Sequence, residues 1–296
     1  MASIIRSLSW FAAGAAAGVL FSHASARNHG PRALVRQLER ALWRNQFVVL
    51  YQPVIDLASG RCFGVEALLR WKNSHGRLVS PEIFMPVALE SGLIEPITER
   101  VIELVATDLI PLLRRRPDFH VGINVPPQLL GGGRLGAVAD CCGLLPFIAQ
   151  VVIEITETSV VQERGREAIR LARSYKARVA IDDFGTGNNE LAQLQDLEID
   201  FIKIDKSFVQ RLGAHEQATR FVEWIVRLTH EIGAQSIAEG IETAAQVAML
   251  RDLQVEMAQG YYYARPLSLD ALHLFLDREV ETSVGGPDPD TPTSQR

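Results

Sequence analysis

Val179-Ala-Ile-Asp182-Asp183-Phe-Gly-Thr-Gly187 is an apolar run of three residues that stops on two aspartates and a glycine-rich turn. A run this short, bounded by turn residues, suits a strand buried on both faces. The pattern repeats on either side of it. Upstream, Val121-Gly-Ile leads into Asn124 and Val151-Val-Ile into Glu154; downstream, Phe201-Ile leads into Lys203 and Ser236-Ile-Ala into Glu239. The closing polar residues lie 30, 28, 21 and 36 positions apart, about the length of a strand, a helix and their loops. Between them, Arg164 to Lys176, Phe208 to Ile232 and Leu269 to Phe275 space their apolar residues by three and four, as one-sided helices do. Strands alternating with helices over such a length predict an α/β chain folded as a TIM-like (βα)8 barrel.

The start of that barrel departs from regularity. Phe47 to Leu57 and Phe63 to Trp71 read as strands joined by a turn at Ala58 to Cys62, too short for a parallel crossover, so the first strand is expected to be antiparallel. Helices are expected around Ser80 to Ser91 and Ile94 to Arg115, and a last strand near Val255 to Tyr262.

The 296 residues carry a net charge of −5, with 47% hydrophobic and 22% charged residues, a globular composition. It argues against a disordered protein or a binder of DNA or RNA polymers. Three cysteines, Cys62, Cys141 and Cys142, make no disulfide framework and fit a reducing compartment. Residues 7–26 hold no formal charge, long enough for one membrane-crossing helix. Arg27, Arg32, Arg36 and Arg40 follow it, which favours a single-pass anchor in the inner (cytoplasmic) membrane with the rest of the chain in the cytoplasm. A cleaved secretory signal is the competing reading, since Ala24-Ser25-Ala26 resembles a cleavage site. The expected organisation is anchor or signal segment 1–26, linker 27–39, barrel 40–279 and a loose tail 280–296 rich in proline and glycine.

Side chains at the carboxyl ends of parallel barrel strands converge on one mouth. Glu66, Glu154, Glu157, Asp182, Asp183, Asp205, Glu239 and Glu242 would then share it with Lys203 and Arg70. Carboxylates so crowded cannot all stay ionised unless cations relieve them. No histidine or cysteine ends a strand run, so the donors are oxygens, which suit Mg²⁺ or Mn²⁺. Adjacent Asp182 and Asp183 could bridge a pair of ions, an arrangement suited to phosphoester hydrolysis. One carboxylate after a strand is more often a helix cap or an ion-pair partner, but five successive strand ends closing on polar residues are hard to assign to chance. A lysine between isoleucines, as Lys203 is, is seldom buried unpaired.

Tyr51-Gln-Pro-Val-Ile-Asp, Glu66-Ala-Leu-Leu-Arg-Trp, Ile123-Asn-Val, Glu154-Ile-Thr-Glu, Asp182-Asp-Phe-Gly-Thr-Gly, Ile202-Lys-Ile-Asp, Ala238-Glu-Gly-Ile-Glu and Gln259-Gly-Tyr follow one another in the chain. This ordered series resembles that of the EAL-domain cyclic di-GMP phosphodiesterases, over nearly all of Arg40 to Arg278. The resemblance implies a TIM-like barrel with an antiparallel first strand, a dimer, and hydrolysis of cyclic di-GMP to the linear dinucleotide with two Mg²⁺ or Mn²⁺ ions. It implies that Glu66, Asn124, Glu154 and Asp182 hold one ion and that Asp182 and Asp183 face the second. It gives Glu239 the role of general base, Lys203 that of orienting the attacking water, and Glu242 and Gln259 that of supporting metal-bound waters. Gln52, Arg70 and Asp205 would touch the nucleotide, and Glu157 would brace the loop after Asp183.

That loop reads Asn188-Asn189-Glu190 where the family usually has Tyr-Ser-Ser, and Asn124 is followed by Val-Pro126-Pro rather than Leu-Ser-Pro. Glu256 stands where an aspartate is common. Two other readings remain open at this point: a barrel that binds the nucleotide without cutting it and signals to a partner, and a divalent-metal hydrolase of other phosphodiesters.

Overall fold

The computed structural model describes residues 31–284 except His75, Val161 and residues 187–196. Nine strands lie within the described residues: β1 Phe47–Asp56, β2 Cys62–Lys72, β3 Leu78–Val79, β4 His120–Asn124, β5 Val151–Thr156, β6 Arg178–Phe184, β7 Phe201–Ile204, β8 Gln235–Ala238 and β9 Met257–Ala258. Their order is β1-β9-β8-β7-β6-β5-β4-β2-β3, and pairing of β1 with β2 closes eight of them into a barrel. The short β3 pairs with the far end of β2. As expected from the brief turn, β1 runs antiparallel to both β2 and β9, while β2 and β4 to β9 pair in parallel.

The predicted fold is corrected at its amino-terminal end. Among the described residues no helix is long and apolar enough to cross a membrane, and residues 7–26 lie outside them. The longest helix of the barrel, Ile94–Arg115, is amphipathic: Ile97, Val101, Val105 and Leu109 are buried on one side and charged residues occupy the other. Residues 31–39, expected as linker, are helical and belong to Pro31–Trp43. Leu38 and Ala41 of that helix are fully buried and Leu34 and Leu42 pack beside them, so the barrel's packing begins earlier than residue 40. At the other end, helix Leu269–Val284 continues past residue 279. The single helix expected over Phe208 to Ile232 is two, Lys206–Val209 and Glu216–Glu231. Gly213 breaks them in the left-handed region at φ 77°.

Inside the barrel the pleat sorts side chains into stacked rings, because residues two apart on a strand share a face. Val54, Val152, Ala180, Phe201, Ile237 and Met257 form one buried apolar cluster, the floor. One pleat nearer the mouth, on these strands or one residue past their ends, stand Gln52, Glu154, Asp182, Lys203, Glu239 and Gln259, all buried. On β2 and β4 the floor positions are Gly64 and Gly122, beneath Glu66 and Asn124. A Cβ at Gly64 would strike the His120 backbone, and one at Gly122 would strike the Glu154 carboxylate. A bulge in β2, where pairing steps from Val54↔Gly64 to Ile55↔Cys62, leaves Phe63 unpaired. Its ring stacks on His120 at 4.4 Å and meets Phe201 edge-on at 5.7 Å, closing the barrel below the two glycines.

Candidate active site

Lys203 lies at the centre of the polar ring, with its side chain 1% exposed. Its Nζ stands 2.8 Å from Glu239 Oε1, 3.0 Å from Glu154 Oε2, 3.0 Å from Asp182 Oδ1 and 3.2 Å from Glu66 Oε2. One cation thus faces four carboxylates from four strands. A buried charge is tolerated only when it is paired and hydrogen-bonded, and neither Lys203 nor any of the four carboxylates could be placed here alone. The parallel register that aligns β7 with β8, Lys203 opposite Ile237, brings these groups to one level.

Two amides complete the ring. Gln259 Nε2 donates to Glu66 Oε2 at 2.7 Å and to Glu239 Oε1 at 2.9 Å. Asn124 Nδ2 donates to Glu66 Oε1 at 3.0 Å and to Glu154 Oε2 at 3.2 Å. Each amide spends its NH₂ group on carboxylates, so its carbonyl oxygen is left over. Asn124 Oδ1, Gln259 Oε1 and Gln52 Oε1 are buried with no hydrogen-bond partner among the described residues. Buried unsatisfied acceptors are costly and call for a donor or a cation.

The two aspartates both reach the mouth although they are neighbours in sequence. Pairing of β6 with β7 steps irregularly between Ile181 and Phe184, and Asp183 adopts φ 55°, uncommon for a residue other than glycine. This bulge re-aims the second aspartate, so that oxygens of Asp182, Asp183 and Glu239 lie within 4.8 Å of one another. The backbone holds it there: Thr186 Oγ1 donates to Asp183 O at 2.8 Å, and the Asp183 N–H donates to Asp182 Oδ1 at 3.0 Å. Glu157 accepts the Gly185 N–H at 3.0 Å, at the start of the loop it was expected to brace. The Asn188-Asn189-Glu190 stretch itself lies outside the described residues.

Burial raises the pKa of Glu239 well above the usual carboxylate range; Lys203 opposes this while Asp182, Glu66 and Asp183 add to it. Glu154 is likewise raised, by burial and then by Glu66, and Asp182 by burial. Glu66 goes the other way: desolvation is outweighed by Lys203 and by the hydrogen bonds from Gln259, Lys203 and Asn124, and its pKa is lowered. Lys203, although desolvated, is raised well above an ordinary lysine by its four carboxylates and stays charged. The ring therefore separates a carboxylate that holds its charge, Glu66, from three that burial pushes towards the neutral form, Glu154, Asp182 and Glu239.

The donors suit a hard divalent cation. Asp182, Asp183 and Glu239 offer carboxylate oxygens within reach of a common ion, and Asn124 offers an unused carbonyl oxygen. Glu66 and Glu154 are held by Lys203 and the amides. Gln52 pairs across from Glu66 in the β1–β2 register, and Arg70 lies four residues further along β2. The Arg70 pKa is lowered by burial against the pull of Glu66, and one of its N–H groups goes to Leu69 O at 2.8 Å. Asp205 serves locally as the cap of helix Lys206–Val209, accepting the Ser207 N–H at 2.9 Å. Glu242 is not brought into the ring: it is exposed, and its backbone N–H is held by Gln246 Oε1 at 2.8 Å. Gly122, which makes room for Glu154, had not been singled out; a glycine inside an otherwise apolar strand is the signal that marks such a close approach.

Residues 35–266 match the family model described as EAL domain. The probable cyclic di-GMP phosphodiesterase PdeG of Escherichia coli (strain K12) is 34% identical over 249 residues, covering 81% of this chain and 49% of that protein. The chain thus spans about half the length of this curated relative. Among solved structures, the PaMucR phosphodiesterase in complex with c-di-GMP superposes with a TM-score of 0.74 at 29% identity, over 81% of this chain and 99% of the other. The FimX EAL domain of Pseudomonas aeruginosa bound to c-di-GMP gives 0.72 at 28% identity, over 80% and 98%. With the motif series, the closed barrel and the family match over most of its length, the chain belongs to the EAL domain family.

Proposed function

We propose that this barrel hydrolyses one phosphodiester bond of cyclic di-GMP, giving the linear dinucleotide pGpG, with the help of Mg²⁺ or Mn²⁺. The observation that carries this reading is the ring of four buried carboxylates around Lys203, with the Asp182–Asp183–Glu239 oxygens gathered beside it at the mouth. The bound ions would supply Lewis-acid polarisation of a phosphoryl oxygen and of water. In the reaction, water oxygen bonds to phosphorus as the bond to the ribose oxygen breaks; the water's proton leaves and the departing alkoxide gains one. Glu239 takes the proton of the water at its carboxylate, and Lys203 holds Glu239 in place and so orients the attacking water. Arg70 presents the remaining N–H groups of its planar fork to a non-reacting phosphate. Gln52, with a free carbonyl oxygen, is placed to accept a donor from the nucleotide.

A second reading is binding without turnover, favoured by the ion pairs with which Lys203 already neutralises part of the ring. Turnover of cyclic di-GMP by the purified protein with Mg²⁺ or Mn²⁺, followed by chromatography against other cyclic and linear dinucleotides, separates the possibilities. Glu239→Gln should lower turnover roughly 10²- to 10⁴-fold while binding persists. Turnover equal in the wild type and this variant would leave binding alone.

A further inference from the structure

Helix Pro31–Trp43 has two faces of opposite character. Leu38 and Ala41 are fully buried, and the helix packs on Pro81–Ser91. At 100° per residue, Arg32, Arg36, Arg40 and Trp43 fall within about 80° of one another on the far side. All four are exposed, Trp43 to 89%. Glu39, about 20° to one side of that sector, is the single acidic residue of the helix, and Arg44 follows directly after it. No ion pair to Arg32, Arg36, Arg40 or Arg44 occurs among the described residues.

Both halves of this face are unusual for a surface open only to water. Arginine keeps its charge at every accessible pH, and in a chain of net charge −5 these cations form a local patch of opposite sign. An indole is large enough that folds normally bury most of it, as this one does with Trp71, 5% exposed. Trp43 instead stands exposed among the arginines. Phosphate headgroups with an apolar layer just beneath them satisfy the guanidinium groups and the indole together. We propose that this face docks on the surface of a bilayer containing anionic phospholipid, lying against the headgroups without crossing them.

The test uses the full chain and vesicles of phosphatidylcholine alone or mixed with phosphatidylserine, read by co-sedimentation. Partition should rise with phosphatidylserine and fall with added salt. Replacing Arg32, Arg36 and Arg40 by Gln should weaken binding to the anionic vesicles roughly a hundredfold. Trp43→Ser should weaken it further while the unfolding midpoint of both variants stays at the wild-type value. Residues 1–30 are present in every sample, so any contact of their own is common to all. Equal partition onto both kinds of vesicle, or a triple-Gln variant that binds as the wild type does, would overturn the proposal. So would loss of binding to nucleic acid in that variant with vesicle binding unchanged.

Discussion

The floor and the polar ring of this barrel stand one pleat apart on the same strands, yet they obey opposite rules. The floor is apolar and shape-filled: Val54, Val152, Ala180, Phe201, Ile237 and Met257 meet with Phe63 packed against them. The ring above is charged, and its members are satisfied mainly by each other. The contrast shows how one raises the stakes of the other. A dry floor excludes water from beneath the carboxylates, which lifts the pKa of Glu239 and Glu154 and makes Lys203 obligatory.

Removing that cation is the severest way to break the pairing. Lys203→Met leaves four buried carboxylates without their counterion, and should cost roughly 3–5 kcal/mol of stability in the presence of a chelator. Mg²⁺ or Mn²⁺ should restore part of the loss in urea titrations. An unchanged midpoint would mean that the ring is wet and that the floor has no electrostatic hold on it.

A titrating group, His120, lies just beneath the floor, and its pH response sharpens the comparison. Burial and then the nearby Arg178 lower the pKa of His120 from 6.5 to about 4. A neutral histidine in the fold and a protonatable one in the unfolded chain mean that stability is full above pH ~6.5 and is lost as pH falls towards ~4. The contribution is up to about 3 kcal/mol. The raised carboxylates of the ring act with the opposite sign, so the measurement is the difference between wild type and His120→Phe across that window. Parallel curves for the two proteins would contradict the assignment.

Gly122→Ala tests the seam between the two layers. Its new methyl group meets the Glu154 carboxylate, and overpacking of this kind costs about 2 kcal/mol. Turnover should fall by more than that loss of stability explains, because the displaced group is part of the ring. Equal turnover per folded molecule, measured beside a denaturant curve, would show that Glu154 can move without consequence.

Much of the ring was legible in the chain because a strand buried on both faces reads as an apolar run, and a polar residue ending it has nowhere to point but the mouth. Glu154, Asp182, Lys203 and Glu239 were found that way, and the five-residue turn before Cys62 gave the direction of β1. What could not be read depended on local geometry. Nothing in Asp182-Asp183 announces a left-handed residue that turns both side chains inward. Glu242 lies three residues after Glu239 but beyond the strand end, where the pleat no longer dictates direction, and it faces solvent. Residues 31–39, expected as linker, lie in helix Pro31–Trp43, whose four arginine and glutamate side chains hide a narrow apolar stripe of Leu34, Leu38, Ala41 and Leu42. Asp205 has the composition of a ligand and the hydrogen bond of a cap.

The reversed first strand has one more consequence. Phe47 pairs with Trp71, five residues beyond Glu66 towards the open end of the barrel, so the polypeptide arrives at the rim that carries the polar ring and not at the sealed base. Whatever precedes Phe47 is therefore tethered beside the candidate site. A pull or twist on that tether would reach the rim first, with no need for a signal to travel the length of the staves.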